Sequence, residues 1–270
     1  MKYIPASSIQ AAADLVVQGA TVLAGGTILV PEIARTGGSD RVLVDIAGLP
    51  QLREMAFTQD VVELGAAVTV DSIAHHPRIR DELTALGQAA VAIGNPQVRR
   101  AATLGGNVAV ARGASDLCPA LLSLDAEISC TSSQGTIQFP FSNFSAARQL
   151  ITSVRIKVVP GRKSAFRKFA WRRASGITIA SVSVALVMQG TTVEAARIAV
   201  GGVSAKPTLL LKTAAALQGR SIGQETIQEI SRQAAAEAPY DLPDPPAPEY
   251  RRRLIAAGVS ETLGEVFANA

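Results

Sequence analysis

Ala20–Thr27 reads ATVLAGGT and Ala102–Asn107 reads ATLGGN, and the interpretation of the chain turns on these two stretches. In the first, a short apolar run with the pattern of a buried strand leads straight into Gly25-Gly26-Thr27. A Gly-Gly pair after a strand lets backbone N–H groups approach an anion with no Cβ in the way, and a helix N-terminus beyond it favours phosphate. Taken singly, each pair also reads as an ordinary tight turn in a chain with 22 glycines. Together they say more, because two such loops, the second with the Thr103 hydroxyl and the Asn107 amide beside it, can clamp one pyrophosphate from two sides. Neither is the GxGxxG of a nicotinamide-binding Rossmann unit, since no third glycine follows at the required offset and no downstream ribose acid is in register.

Working outward, Ser7 or Ser8 can cap a helix with apolar positions at Ile9, Ala12, Ala13 and Val16, which Gly19 ends. Arg41–Ile46 is a second strand, so the first 50 residues form a strand–loop–helix–strand unit. Val61–Ala67 predicts a strand, Val70-Asp71-Ser72 the start of a helix, and Asp81–Ile93 one helix stopped by Gly94-Asn95-Pro96. Asp116 can cap a helix through about Leu124, with Pro119 confined to its first turn. Ala126–Thr131 and Thr136–Phe139 form a hairpin, and Leu150–Val159 continues its sheet. Beyond Pro160-Gly161-Arg162, the candidate boundary, Ala165–Arg172, Ile177–Met188 and Thr192–Val203 read as three strands. Helices follow at Pro207–Leu217, Thr226–Ala238 and Glu249–Ala268. Strands followed by helices suggest a separate α+β lobe (161–270).

The chain of 270 residues has the size of an enzyme, and 48% apolar against 18% charged residues exclude a disordered or low-complexity scaffold. A net charge of +4 argues against nucleic acid as principal partner. Two cysteines, Cys118 and Cys130, and two histidines, His75 and His76, build neither a zinc site nor an iron–sulfur cluster, so no metal is expected. His75-His76 reads as a surface helix end, Cys118 as a buried small residue, and Arg251-Arg252-Arg253 as a solvated or subunit-contact face. Trp171 fits a core or an interface equally. Ile177–Met188 is too short to span a bilayer and no secretory signal is evident, which makes a cytoplasmic protein with reduced thiols the expectation.

The ordered series Ala24-Gly25-Gly26-Thr27, Ala92–Arg99 (AIGNPQVR), Ala102–Asn107, Ser115-Asp116-Leu117 and Pro119–Leu122 resembles the FAD-binding medium subunit of molybdenum hydroxylases, the family of carbon monoxide dehydrogenase and xanthine dehydrogenase. Weaker matches at Phe166–Phe169, Arg197–Gly202 with Pro207, and Glu249-Tyr250-Arg251 extend it over nearly the whole chain. The resemblance implies a vanillyl-alcohol-oxidase-type fold, α+β in class, with an FAD-binding domain over 1–160 made of two α/β subdomains (about 1–55 and 56–160) and a C-terminal lobe (161–270) carrying a three-stranded antiparallel sheet and helices. It implies that Ala24, Gly25, Gly26 and Thr27 meet the FAD pyrophosphate from one side and Thr103, Gly105, Gly106 and Asn107 from the other. It further implies Asp116 at the FAD ribose and Ile151 and Lys168 near the isoalloxazine, with no side chain of this chain catalytic in its own right. The implied partners are a large molybdenum-cofactor subunit and a small [2Fe–2S] subunit, with NAD or another electron acceptor. Two departures stand out: Arg112-Gly113 where the family usually has Ser-Pro, and Gly176-Ile177-Thr178 where it has Asp-Ile-Ala. An arginine at 112 can block a flavin cleft, reach a phosphate or face solvent. These departures motivate the alternative of a stand-alone or repurposed flavin-fold protein acting on a metabolite.

Overall fold

The computed structural model describes residues 1–37, 40–110, 113–145, 149–172 and 176–268; Arg112 lies outside them. The chain forms two compact units: Met1–Ser72 with Pro96–Val110 and Ala126–Lys157, and Ile73–Asn95 with Ala111–Asp125 and Val158–Ala270.

In the first unit, β1 (Lys2–Pro5), β2 (Thr21–Leu23) and β3 (Val42–Asp45) make a parallel sheet in the order β1-β3-β2. Parallel neighbours need crossover connections, supplied by α1 (Ile9–Val17) and α2 (Leu29–Thr36). Ser8 caps α1 by accepting the Ala11 N–H at 3.1 Å, and Ala12, Ala13 and Val16 face a core with Val44, Ile46, Leu49, Leu52, Ala67 and Leu150. The sequence reading misses β1, an edge strand with only Ile4 half-buried and so without apolar alternation; pairing with β3 and the Tyr3 hydroxyl on Asp45 hold it.

The second sheet of this unit is antiparallel, in the order β4 (Met55–Phe57), β5 (Val61–Gly65), β8 (Leu150–Lys157), β6 (Glu127–Ser132), β7 (Gly135–Pro140). Pro96 opens a helix, α6 (Pro96–Ala101), that was not expected: proline's fixed φ suits a first helical position as well as it ends what precedes. The predicted second glycine loop is itself helical, α7 (Leu104–Val110), with Gly105 and Gly106 in its first turn. Packing overrides the low helix propensity of glycine there.

The second unit is built on an antiparallel sheet, β12 (Thr208–Leu209), β11 (Thr192–Gly201), β10 (Thr178–Gln189), β9 (Arg162–Ala170), in that order. The two-residue β12 adds to the three strands read from the sequence and delays the next helix, α9 (Leu211–Leu217). Along β10 every residue from Thr178 to Leu186 is buried, because both faces are covered. Val182, Val184 and Leu186 share a core with Ile255, Val259, Leu263 and Val266 of α11 (Pro248–Ala268) and Ile230 and Ala234 of α10 (Gln224–Glu237). Ser183 faces the other way and bonds Ser123 of α8 (Leu117–Ser123) at 2.7 Å.

The single helix expected over Asp81–Ile93 is two, α4 (Pro77–Glu82) and α5 (Thr84–Val91), broken at the fully buried Leu83. The Ala85 N–H donates to the Ser164 hydroxyl at 3.1 Å, a tertiary bond that starts the new helix. The arginine triplet is not a uniform solvated face either. Arg251 is buried, while Arg252 lies over the Tyr240 ring at 4.9 Å. No helix among the described residues is long and apolar enough to cross a membrane.

Candidate cofactor site

Gly25, Gly26 and Thr27 follow β2 and precede α2, the context expected of a phosphate loop. Gly26 has φ +66°, a left-handed conformation that glycine adopts without strain. Among the described residues the backbone N–H groups of Gly25, Gly26, Thr27 and Ile28 find no acceptor, although the loop is only partly buried. Consecutive free N–H groups ahead of a helix are the donor set that a diphosphate accepts, so this loop fits the pyrophosphate of FAD. Its first glycine has a second reason to lack a side chain: a Cβ on Gly25 would overlap the carbonyl oxygen of Ala101. The first glycine loop therefore packs directly on the backbone that leads into Thr103, and the two stretches singled out in the sequence meet in space.

At the second stretch the N–H groups are spent. Leu104 donates to Val68 O at 2.9 Å, Gly105 to Ala66 O at 2.8 Å, Gly106 to Thr103 Oγ1 at 3.2 Å and Asn107 to Thr103 O at 3.0 Å. A Cβ on Gly105 would stand 2.7 Å from the Ala66 Cβ, whereas one on Gly106 would meet only Thr103 Oγ1, at 2.9 Å. What this stretch can offer a ligand is the Thr103 hydroxyl proton and close approach to the Gly106 Cα. Ile151, on β8, is buried, and its neighbour Thr152 accepts the Ala66 N–H at 2.9 Å, which ties that strand to the same segment. Ala24 packs on the core of the first unit.

Asp116 and Lys168 belong to the second unit. Asp116 precedes α8 but makes no capping bond with its side chain, contrary to the expectation. Its carboxylate is committed elsewhere: Oδ2 accepts from Lys168 Nζ at 2.6 Å and Oδ1 from the Thr178 hydroxyl at 2.6 Å. Lys168 Nζ also donates to Ala92 O at 3.0 Å. Burial pushes the Asp116 carboxyl above the usual carboxylate range, opposed by the Lys168 charge and the two hydrogen bonds. Asp116 and Lys168 are thus one ion pair. The pair presents little net charge, and one oxygen lone pair on each side of the carboxylate is left for a ligand hydroxyl. Thr178 stood out in the sequence only as an interruption of an apolar strand and as the last residue of the Gly176-Ile177-Thr178 departure. Lys168 also lines a cleft of about 550 Å³ between α5 and β9, with Arg80, Thr84, Gln88 and Phe166.

The departures have packing explanations at the two glycines. A Cβ at Gly113 would overlap the carbonyl of Ser204, and one at Gly176 would lie 2.6 Å from Arg172 O. Burial pushes the Cys118 thiol up to about 12, so it stays protonated and unreactive. Trp171 is exposed, which removes the core alternative.

A glycine loop whose N–H groups have no acceptor among the described residues, set ahead of a helix, suits a dinucleotide protein, and comparison with known proteins gives the class. Residues 1–156 match the model of the FAD binding domain in molybdopterin dehydrogenase, and residues 164–266 that of the CO dehydrogenase flavoprotein C-terminal domain. The nicotine 6-hydroxylase medium subunit of Paenarthrobacter nicotinovorans is 28% identical, over 99% of this chain and 98% of that protein. The glyceraldehyde dehydrogenase medium chain of Sulfolobus acidocaldarius is 25% identical, over 98% of this chain and 97% of its own length. In fold, a chain of carbon monoxide dehydrogenase from Hydrogenophaga pseudoflava superposes with a TM-score of 0.92 at 23% identity, covering 99% of this chain and 97% of that one. The chain belongs to the family of FAD-binding subunits of molybdopterin dehydrogenases; it is an oxidoreductase flavoprotein whose cofactor is FAD.

Proposed function

We propose that this chain is the electron-relay subunit of a molybdenum hydroxylase complex, with a large molybdenum-cofactor subunit and a small [2Fe–2S] subunit as partners and NAD⁺ or another external acceptor as electron sink. The observation that carries it is the run of N–H groups at Gly25–Ile28 that have no acceptor among the described residues, packed against the segment leading into Thr103. Bound FAD supplies chemistry in which electrons arrive singly and leave as a pair. The residues of this chain bind and orient it. The backbone of Ala24–Thr27 and the Thr27 hydroxyl take one side of the diphosphate; Thr103, Asn107 and the bare Cα atoms of Gly105 and Gly106 take the other. Ile151 offers the flavin ring an apolar contact. On the second unit, Lys168, held by Asp116 and Ala92 O, supplies the ammonium and Asp116 the carboxylate that the family resemblance assigns to the flavin ring and the ribose. Residues 1–160 act as the FAD-binding domain and 161–270 as the C-terminal lobe, in the cytoplasm.

Purified protein should be yellow and release FAD rather than FMN on denaturation, read by absorption and chromatography, and stripping the flavin should lower Tm by mass action. With NADH it should reduce artificial dyes if NAD⁺ is its acceptor, while oxidising no heterocycle or aldehyde unaided. A lone chain that turns over an organic substrate without two co-purifying subunits would overturn the relay reading.

A further inference from the structure

The last helix opens on three arginines, one of which is treated quite differently from its neighbours. Arg251 is 5% exposed. A guanidinium has five N–H donors, and here all of them fall on backbone carbonyls: Nε on Pro246 at 3.1 Å, Nη1 on Ile179 at 2.7 Å and on Gly202, Nη2 on Asp244 at 3.2 Å and on Pro245 at 3.3 Å. Carbonyl dipoles from three separated stretches of chain therefore meet one buried charge. Such a cluster holds backbone in place and presents nothing to solvent.

Two of those carbonyls sit on the supports of the Asp116–Lys168 pair. Ile179 follows Thr178, whose hydroxyl donates to Asp116 Oδ1. Gly202 accepts from Arg251 through its carbonyl and, through its own N–H, donates to Gly113 O at 2.5 Å, three residues ahead of Asp116. One side chain thus fixes both the strand that supplies Thr178 and the turn that anchors the approach to Asp116. Lysine, with three donors on a point charge, cannot reproduce the planar fork.

We infer that Arg251 is a positioning residue for the Asp116–Lys168 pair, acting through Thr178 on one side and Gly202–Gly113 on the other. Its consequence for FAD rests on the cofactor role proposed above. The test is a double-mutant cycle on the full chain with Arg251→Lys and Thr178→Val, reading FAD affinity by flavin fluorescence and amide hydrogen exchange by mass spectrometry. Each single variant should weaken FAD about five- to thirtyfold, and the double variant should be within about twofold of the weaker single, because both act through one carboxylate. Exchange over residues 113–118 should rise at least about tenfold in Arg251→Lys, with residues 40–46 of the other unit unchanged. Additive losses, or unchanged exchange over 113–118, would overturn the inference. A wild-type chain that refuses FAD would sink the cofactor role instead, and the exchange data would still decide the positioning. Should Arg251→Lys fail to fold, Thr178→Val keeps Arg251 in place: coupling is reciprocal, so exchange of the Arg251 Nε–H, followed by NMR, should rise about threefold or more. No change there would refute the coupling.

Discussion

The two Gly-Gly pairs look alike in sequence and work by different physics. Around Gly25-Gly26 the N–H groups are free among the described residues and one glycine is left-handed, so the pair is open toward a ligand. Around Gly105-Gly106 the N–H groups are consumed by Ala66, Val68 and Thr103, and the first of the two glycines is bare so that a helix can press on Ala66. The lesson is that a glycine pair marks close approach without saying to what. Gly25 illustrates it within the open loop, since it lies against the Ala101 carbonyl.

Substitutions can break this comparison, beginning with the largest effect. Gly25→Val drives side-chain atoms into the Ala101 backbone and should cost about 3 kcal/mol, the upper part of the usual overpacking range. Urea unfolding of the apo protein measures it, and a loss below about 1 kcal/mol would mean that the two stretches are not tightly packed. Gly105→Ala should cost about 1–3 kcal/mol for the same reason, against the Ala66 side chain and carbonyl.

Smaller effects sharpen the contrast in hydroxyls. Thr103→Val removes the acceptor of the Gly106 N–H and should destabilise the apo protein by about 1 kcal/mol. Thr27→Val should leave apo stability unchanged and weaken FAD about five- to tenfold, the worth of one hydrogen bond. Equal apo stabilities for the two variants would erase the distinction. Smallest of all in the apo protein is Gly106→Ala: the gain in helix propensity, up to about 1 kcal/mol, offsets crowding of a rotatable threonine hydroxyl. Its FAD affinity, by titration, should nevertheless fall more than about tenfold, because the proposed diphosphate contact needs a bare Cα.

Much of the framework was legible in the chain. The Ser8 cap, the ATVLA strand before Gly25, the Glu127–Pro140 hairpin and the β9–β10–β11 meander all follow from local signals: a capping hydroxyl, β-branched runs and glycine turns. Two kinds of element were not legible. Edge and very short strands such as β1, β4 and β12 bury too little to leave an apolar pattern. Helix α7 and the break at Leu83 are imposed by distant partners, Ala66 in one case and Ser164 in the other.

The site divides along the same line. By itself the sequence determined the cofactor class, since glycine pairs, threonines, Asp116 and Lys168 occur in an order that carries a family resemblance, and a diphosphate accepts from the N–H and O–H groups that glycine pairs and threonines can offer. Only the tertiary structure decided which N–H groups are free, that Asp116 spends its side chain on Lys168 and Thr178 instead of capping α8, and that Arg251 is buried among carbonyls while Arg252 stacks on Tyr240. The physical reason is that a residue's type fixes what it can donate or accept, whereas its partner comes from chain tens of residues away, here 52 residues from Asp116 to Lys168 and 72 from Arg251 to Ile179.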